Sequence, residues 1–235
     1  MAEPCLVANF VETIDGVVAI PGLERSNAII AGGSEADRFV VGLLRACADA
    51  VVLGARTMLA SPRGLWRPEG VFPAAAEAFA ELRAARGRPA HPTVAVVTAG
   101  GSLDPAHPAL AAGAVVLTTE TAAPALRAAV PEASEVVAVN AGERVDLARA
   151  LDALRGRGHA VILSEAGPSV FGALIAGGLV DELFVTISPL VAGRGASPRP
   201  SLAEGVELLP AVREESELAS VRGAGDHVFL RYRRL

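Results

Sequence analysis

Ser164-Glu165-Ala166-Gly167-Pro168-Ser169-Val170 is the stretch of sequence that decides the fold. It follows an apolar run, residues 160–163, which predicts a buried strand. It leads into a short helical segment, residues 170–176, which ends at Gly177-Gly178. Residues 183–187 then predict another strand. The chain therefore contains a strand–turn–helix–strand unit with a small, glycine-containing turn, which is typical of an α/β sheet.

The turn in this unit also predicts an anion site. Pro168 suits the first position of the helix, because its missing N–H would have no partner there. The N–H groups of Ser169 and Val170 are then expected to point out of the start of the helix. Backbone N–H groups in this arrangement bind anions, and phosphate is the ligand that they favour.

Strands and helices alternate along most of the chain. Helices between the strands are expected to cover both faces of a parallel sheet. One of them is predicted to turn a single apolar face to the core: Phe39, Val40, Leu43, Leu44 and Cys47. The further strands predicted before the opening unit are residues 6–13, 50–53, 93–97, 114–117 and 135–139.

The C-terminal part of the chain has a different pattern. Strands predicted near residues 206–209, 217–221 and 227–232 have no helices between them. They predict an antiparallel addition to the parallel sheet. Because no linker or internal repeat divides the chain, we expect a single domain over residues 1–235.

Composition excludes several classes of function. The net charge of −5, without a clustered basic stripe, argues against a nucleic-acid partner. No apolar run is long enough to span a membrane, and the N-terminus has no basic start of a signal peptide, so we expect a cytoplasmic protein. Two cysteines and four scattered histidines predict neither a disulfide framework nor a metal site. The chain contains no lysine, which excludes pyridoxal phosphate chemistry and a phosphate-loop hydrolase.

Four predicted turns follow strands at the carboxyl edge of the sheet, where open parallel sheets bind ligands. Each by itself is explained as a simple connection between elements, but four at one edge favour a ligand with several anionic or hydroxyl groups. None has the G-x-G-x-x-G spacing of a standard dinucleotide fold. The four turns are Asp15-Gly16, Gly54-Ala55-Arg56-Thr57, Thr98-Ala99-Gly100-Gly101-Ser102 and Glu165-Ala166-Gly167-Pro168-Ser169.

Three blocks of the sequence carry a family resemblance: Asn9-Phe10-Val11-Glu12-Thr13-Ile14-Asp15-Gly16-Val17, then residues 35–57, then Glu165 to Pro189. Together they resemble the riboflavin-biosynthesis pyrimidine reductases of the dihydrofolate-reductase-like superfamily. The resemblance implies a three-layer α/β/α sandwich with a mixed, mainly parallel sheet and antiparallel C-terminal strands. It also implies a homodimer that uses NADPH as hydride donor. The residues that it implies for cofactor binding are Gly54, Arg56, Thr57, Thr98, Gly167, Pro168, Ser169 and Val170, with Arg56 either near a cofactor phosphate or in a surface ion pair.

The implied reaction is reduction of a ribosylamino-pyrimidine phosphate, with hydride delivered to the first carbon of the opened sugar. Asp15 and Glu165 are the candidate catalytic residues. Asp15 contacts the substrate or nicotinamide, or only shapes its turn, and Glu165 points to the substrate or caps backbone N–H groups. Asn9, Ser61 and Trp66 are candidates for substrate binding. Asn9 alternatively satisfies a core hydrogen bond, and Trp66 alternatively plugs its loop against the domain.

Two other functions stay open at this point. Ala166, Val17 and the Ala60-Ser61-Pro62 segment differ from the family pattern, so a same-fold reductase of another heterocycle, such as a pterin, is an alternative. A nucleotide-binding protein without catalysis would retain the phosphate turns as a ligand site. The predicted partner in each case is a small molecule.

Overall fold

The computed structural model describes residues 4–100, 103–211 and 215–233. Nine strands in these ranges form one sheet in the order β5-β4-β3-β2-β6-β1-β7-β9-β8. The seven strands from β5 to β7 are parallel, and β9 and β8 add to them in antiparallel pairs. The strands are β1 Cys5–Thr13, β2 Ala50–Gly54, β3 Thr93–Val97, β4 Val115–Thr119, β5 Glu135–Asn140, β6 Val161–Ser164, β7 Glu182–Ser188, β8 Glu217–Ala224 and β9 His227–Arg233.

The helices lie between these strands in the chain. The described ones are α1 Ser26–Ile30, α2 Glu35–Cys47, α3 Ala55–Leu59, α4 Pro68–Val71, α5 Ala76–Ala85, α6 Pro108–Ala111, α7 Ala123–Ala129, α8 Leu147–Arg155 and α9 Pro168–Ala176, with a 3-10 turn at Pro73–Ala75. The boundaries follow ordinary helix chemistry. Ser34 caps α2 by accepting from the Asp37 N–H, and Asp146 caps α8 by accepting from the Arg149 N–H.

Two apolar cores lie on opposite faces of the sheet. On one face, Phe10 and Ile162 pack with Leu151 of α8 and with Phe171 and Leu174 of α9. The core on the other face joins the alternate strand residues with side chains from α3, α6 and α7: Val7, Leu53, Val96, Leu163, Met58, Leu110 and Leu126. The alternation of strand side chains between the two faces explains why both cores are needed. The predicted α/β/α architecture, with a mixed, mainly parallel sheet and antiparallel C-terminal strands, is confirmed.

The order of the strands determines where a ligand can bind. The chain moves outward from β2 to β5 and then returns to insert β6 between β1 and β2. The carboxyl ends of the parallel strands therefore meet at one edge, and the order reverses beside β6. In open α/β sheets this is the place where a crevice forms for ligands.

Two details of the predicted secondary structure are wrong. Residues 206–209 form no strand; they belong to an irregular segment in which Leu208 packs against the core below α9. The predicted inward face of α2 is only half-buried, and Phe39 is 41% exposed. The deepest residues of α2 are instead Asp37, Gly42 and Ala46. Gly42 allows Phe79 of α5 to pack closely, since a Cβ at Gly42 would stand 2.7 Å from the Phe79 ring.

Candidate active site

The turns after β2 and β6 lie against each other at the carboxyl edge. The Arg56 guanidinium, in the first turn of α3, donates a hydrogen bond of 2.9 Å to the Oγ of Ser169 at the start of α9. Gly54 ends β2 where a Cβ would stand 3.3 Å from the Val170 side chain. A Cβ at Gly167 would stand 3.6 Å from the Thr57 Oγ1. Two glycines and a cation thus form the floor and one wall of a single cradle.

The start of α9 differs in one detail from the prediction. The Val170 N–H is not free, because it donates to the Gly167 carbonyl at 3.0 Å within the first helical turn. The Ser169 N–H has no hydrogen-bond partner within the described part of the chain, and Pro168 has no N–H to offer. The Ser169 N–H, the Ser169 hydroxyl and the Arg56 guanidinium are the donors that this turn presents together.

Thr98 occupies the end of β3 beside this cradle. It is buried, and its N–H donates to the Leu117 carbonyl at 3.0 Å. Gly101 and Ser102, which the predicted turn also included, lie outside the described residues. The structure therefore shows Thr98 as part of the edge of the sheet.

Glu165 follows β6 and is held by Arg45 of α2. The Arg45 Nε and Nη2 each donate to one Glu165 oxygen at 2.7 Å, and both side chains are only 13% exposed. Arg45 reaches Glu165 because side chains on a helix point toward its N-terminal end, and α2 begins at the carboxyl edge. Because Arg45 engages both oxygens of the Glu165 carboxylate, the geometry fits an orienting group better than a proton donor.

Asp37 is a second acidic group of the same region, and the sequence did not single it out. It lies in the first turn of α2, only 7% exposed, near Thr186 of β7 and His227 of β9. Burial raises the pKa of the Asp37 carboxyl, and the neighbouring Glu165 carboxylate adds to this effect, while Thr186 and His227 offset it in part. Acidic residues are common in the first turn of a helix because they interact favourably with the helix dipole. The position of Asp37 in the sequence therefore gave no sign of a functional role.

Asn9 lies on the same side of the sheet as Asp37 and Glu165. It is half-buried in the central strand β1, opposite Phe184 of β7. Its side-chain amide makes no hydrogen bond to any described residue, which leaves both its donor and its acceptor available to a ligand. The core hydrogen bond considered as an alternative is not found among those residues.

Asp15 anchors a loop. Its carboxylate accepts from the Thr13 hydroxyl at 2.6 Å and from the N–H groups of Ala192 and Gly193 at 3.0 and 2.9 Å. The hydrogen bonds from Thr13 and Ala192 lower the pKa of Asp15 to about 2. A carboxylate with this pKa is ionised near neutral pH, so the geometry does not fit a proton donor. It fits the alternative in which Asp15 shapes its turn, here by joining the end of β1 to the loop after β7.

Ser61 and Trp66 lie in the loop after α3. The Ser61 carbonyl accepts from the His107 Nε2 at 3.0 Å, because the His107 Nδ1 accepts from the Ala109 N–H and leaves the proton on Nε2. Trp66 is buried, and its ring stacks on His107 with centroids 5.9 Å apart. The Trp66 ring therefore plugs the loop against the core and is not presented to a substrate, whereas the half-buried Ser61 side chain stays at the surface of the loop.

The family model of the RibD C-terminal domain matches residues 4–224. The chain belongs to the RibD C-terminal domain family. The resemblance to riboflavin-biosynthesis reductases is thereby confirmed. No curated protein matches the sequence.

Solved structures show the same fold. A pyrimidine reductase-like protein from Corynebacterium diphtheriae has a TM-score of 0.74 and 23% identity, with 99% of this chain and 92% of that chain covered. Acinetobacter baumannii RibD has a TM-score of 0.76 and 18% identity over 99% of this chain. This chain spans only 58% of the length of that RibD protein. A Saccharomyces cerevisiae riboflavin biosynthesis reductase has a TM-score of 0.66 and 12% identity, over 98% of this chain and 90% of that chain.

The family match supports a pyrimidine reductase-like function connected with riboflavin biosynthesis, and the solved structures show that the fold is shared. Within the described residues, no helix is both long and apolar enough to cross a bilayer. The same residues contain no group of three or more His, Cys, Asp or Glu side chains that could hold a metal ion.

Proposed function

We propose that the protein is an NADPH-dependent reductase that transfers hydride to a ribosylamino-pyrimidine phosphate or a related heterocycle. The observation that carries this proposal is the contact between the two turns. Gly54 to Thr57 and Gly167 to Val170 meet at the carboxyl edge of the sheet, joined by the Arg56–Ser169 hydrogen bond. A dinucleotide carries two adjacent phosphates, and two adjacent donor-bearing turns match that spacing of charge.

The residues of the cradle fit a nicotinamide dinucleotide. A Cβ at Gly54 would stand 3.3 Å from Val170, a tight contact, so glycine lets the two turns approach closely here. Arg56, Thr57, Gly167, Pro168 and Ser169 would hold the phosphates, and Thr98 would lie toward the adenosine end. NADPH supplies the hydride when bound. Arg56 favours the additional negative charge of NADPH over NADH.

The substrate side of the proposed site lies under α2, between Asp37 in its first turn and Arg45 in its last. Asn9 offers to a heterocyclic ring an amide that bonds to none of the described residues, and the Arg45–Glu165 pair fixes one wall. We assign Asp37 as the group that supplies a proton to the substrate, because its raised pKa keeps a proton nearer to neutral pH than an ordinary aspartate does. In this scheme Glu165 orients the substrate and Asp15 acts only through the loop that it anchors.

Cofactor binding and turnover test the proposal separately. NADPH and NADH are titrated against the protein by fluorescence, and NADPH oxidation is then followed with the ribosylamino-pyrimidine phosphate. We expect micromolar binding of NADPH, weaker binding of NADH, and substrate-dependent oxidation. Absence of binding by both cofactors would overturn the reductase assignment. Binding without turnover of any heterocycle would favour a nucleotide-binding protein without catalysis.

A second candidate is reduction of a pterin by the same fold, and the Ala60-Ser61-Pro62 segment, which differs from the family pattern, favours it. A pterin presents an amino group beside a ring N–H, two parallel donors that match the two oxygens of a carboxylate such as Asp37. The ribosylamino-uracil presents a similar pair, a ring N–H beside its exocyclic N–H, so Asp37 fits both substrates and turnover separates them. Oxidation of NADPH with dihydrofolate, but not with the ribosylamino-pyrimidine phosphate, would favour the pterin.

We propose that the whole chain, residues 1–235, acts as one reductase domain, since all nine described strands belong to one sheet. We also propose that it functions as a homodimer with a small-molecule substrate. The cytoplasmic location stays a prediction from the sequence.

A further inference from the structure

The sheet has two edges, and the structure covers one of them more than the other. The edge strand β5 is half-buried beyond Glu135, Arg127 donates to the Val136 carbonyl at 3.4 Å, and Arg157 pairs with Glu135. At the other edge, six of the eight residues of β8 are exposed. Strand β8 contains no proline, and one register shift against β9, between Leu218 and Ser220, interrupts it.

One face of this open edge is apolar. Leu218 and Val221 of β8 and Val228 of β9 are 51%, 48% and 38% exposed. The register places Leu218 opposite Tyr232 and Val221 opposite Leu230, on the side of the sheet where Leu230 and Tyr232 pack against the core. The register shift between Leu218 and Ser220 is what brings Leu218 and Val221, three residues apart, to the same face. These exposed side chains are therefore continuous with the apolar core on the α9 side of the sheet. At the β8 edge no described residue covers them. Large exposed aliphatic side chains that adjoin in this way mark an interaction surface.

The charges on β8 are arranged for pairing with a second β8. If two copies pair antiparallel about a two-fold axis between Ala219 and Ser220, Leu218 faces Val221 of the partner subunit. In the same register Glu217 faces Arg222 of the partner subunit. Both charged residues lie on the other face of the sheet, since Glu217 pairs with Arg233 and Arg222 with Phe229 in the register of β9. Neither has an ion-pair partner within the described chain.

We propose that β8 is the interface of a homodimer, in which the β8 strands of two copies pair antiparallel in this register and continue the sheet across the two-fold axis. The inference rests on the homodimer proposed above and specifies its surface. Each β8 would gain backbone hydrogen bonds for its free edge, two Leu–Val contacts and two Glu–Arg pairs. An interface that repeats each contact twice is expected for a closed two-fold dimer.

A charge-swap experiment tests both the surface and the register. Sedimentation velocity over a range of concentrations gives the dimer dissociation constant of the wild type, Glu217→Arg, Arg222→Glu and the double variant. Each single change places like charges opposite each other twice, so we expect the dissociation constant to rise about tenfold or more. The double variant restores opposite charges and should return to within about threefold of the wild type. Glu143→Arg, in an exposed turn with no ion pair in the described chain, is the control and should leave the dimer unchanged.

Three results would overturn the inference: a monomeric wild type, single variants that dimerise normally, or a double variant that is not restored. Thermal unfolding of every variant shows whether the fold is kept. Should a single variant misfold, amide hydrogen exchange of wild-type β8 decides the question, because protection must rise with protein concentration if β8 pairs. NADPH binding is measured on the same samples. A monomer that binds NADPH would refute only the dimer, and a dimer that does not bind it would refute only the reductase.

Discussion

Arg45 and Glu165 form a bidentate ion pair that joins helix α2 to the turn after β6, with both N–O distances at 2.7 Å. The pair spans 120 residues of sequence and stands directly beside the proposed phosphate cradle. Since both side chains are largely buried, each charge depends on the other for its stability. Arg45, on helix α2, therefore fixes the orientation of the Glu165 carboxylate in the turn after β6.

Removal of one partner of this pair should destabilise the protein more than removal of both. Arg45→Met leaves the Glu165 carboxylate buried without a cation and should cost about 3 kcal/mol of unfolding free energy. Arg45→Met combined with Glu165→Gln removes the unpaired charge, and we expect it to recover most of that loss. Urea unfolding of the two single variants and the double variant measures the coupling. Additive effects would show that the two residues do not interact in solution.

Gly167→Val tests the cradle. The valine methyl groups would extend from a Cβ already 3.6 Å from the Thr57 Oγ1 into the space between the turns. We expect the dissociation constant for NADPH to rise at least about a hundredfold, because the valine methyl groups would occupy the space in which the phosphates reach the donors of the turn. Gly195→Val is the control, since a Cβ there meets nothing within 4 Å. Unchanged NADPH affinity in Gly167→Val would place the phosphates elsewhere.

Arg56→Met should weaken NADPH binding by roughly tenfold or more, the usual effect of losing one charge-assisted contact. Affinity for NADH should fall less, so the preference for NADPH should narrow. The salt dependence of NADPH binding should also become shallower, because one cation fewer faces the phosphates. Fluorescence titrations with both cofactors at two salt concentrations provide these values. An equal loss for the two cofactors would show that Arg56 serves only to hold Ser169.

The parallel sheet and its ligand-binding edge could be predicted from the sequence, because both follow from local patterns in the chain. Apolar strands at regular intervals and the turn at Gly167 determine a parallel sheet, and the carboxyl-edge rule then brings the Gly54 and Gly167 turns to one side. The strand order that makes these turns neighbours follows from tertiary packing. Asp37 and Arg45 were not predicted, because a polar residue on a helix is indistinguishable from a solvated one until its partner, such as Glu165, is known. Trp66 illustrates the reverse case, in which a ring suited to stacking on a ligand packs on His107 instead.

Asp15 should contribute to stability in a way that depends on pH. Its folded pKa, about 2, lies below the ordinary value of 3.8, so the folded state favours the ionised form. The contribution is therefore fully present above pH 3.8 and is lost as the pH falls from there toward 2. Asp15→Asn should have a lower melting temperature than the wild type at pH values above this window, and the difference should shrink within it. Melting temperatures of both proteins across the acid range test this, and a constant difference would exclude titration of Asp15 as its source.

Asp37→Asn should lower the turnover number without lowering the stability of the protein. The pKa of Asp37 is raised chiefly by burial, so its ionised form is penalised in the folded state, and its cost to stability grows as the pH rises above the ordinary value of 3.8. An uncharged asparagine avoids this penalty, and we expect the melting temperature near neutral pH to stay equal to or exceed that of the wild type. The turnover number should fall by about a hundredfold or more, because the amide has no proton to supply. NADPH affinity should not change, since Asp37 lies on the proposed substrate side.

Glu35→Gln is the matched control. Glu35 is an exposed acidic residue in the same first turn of α2, and its substitution should leave activity unchanged. If Asp37→Asn retains full turnover, the proton comes from another group, and a pH–rate profile identical to that of the wild type would establish this.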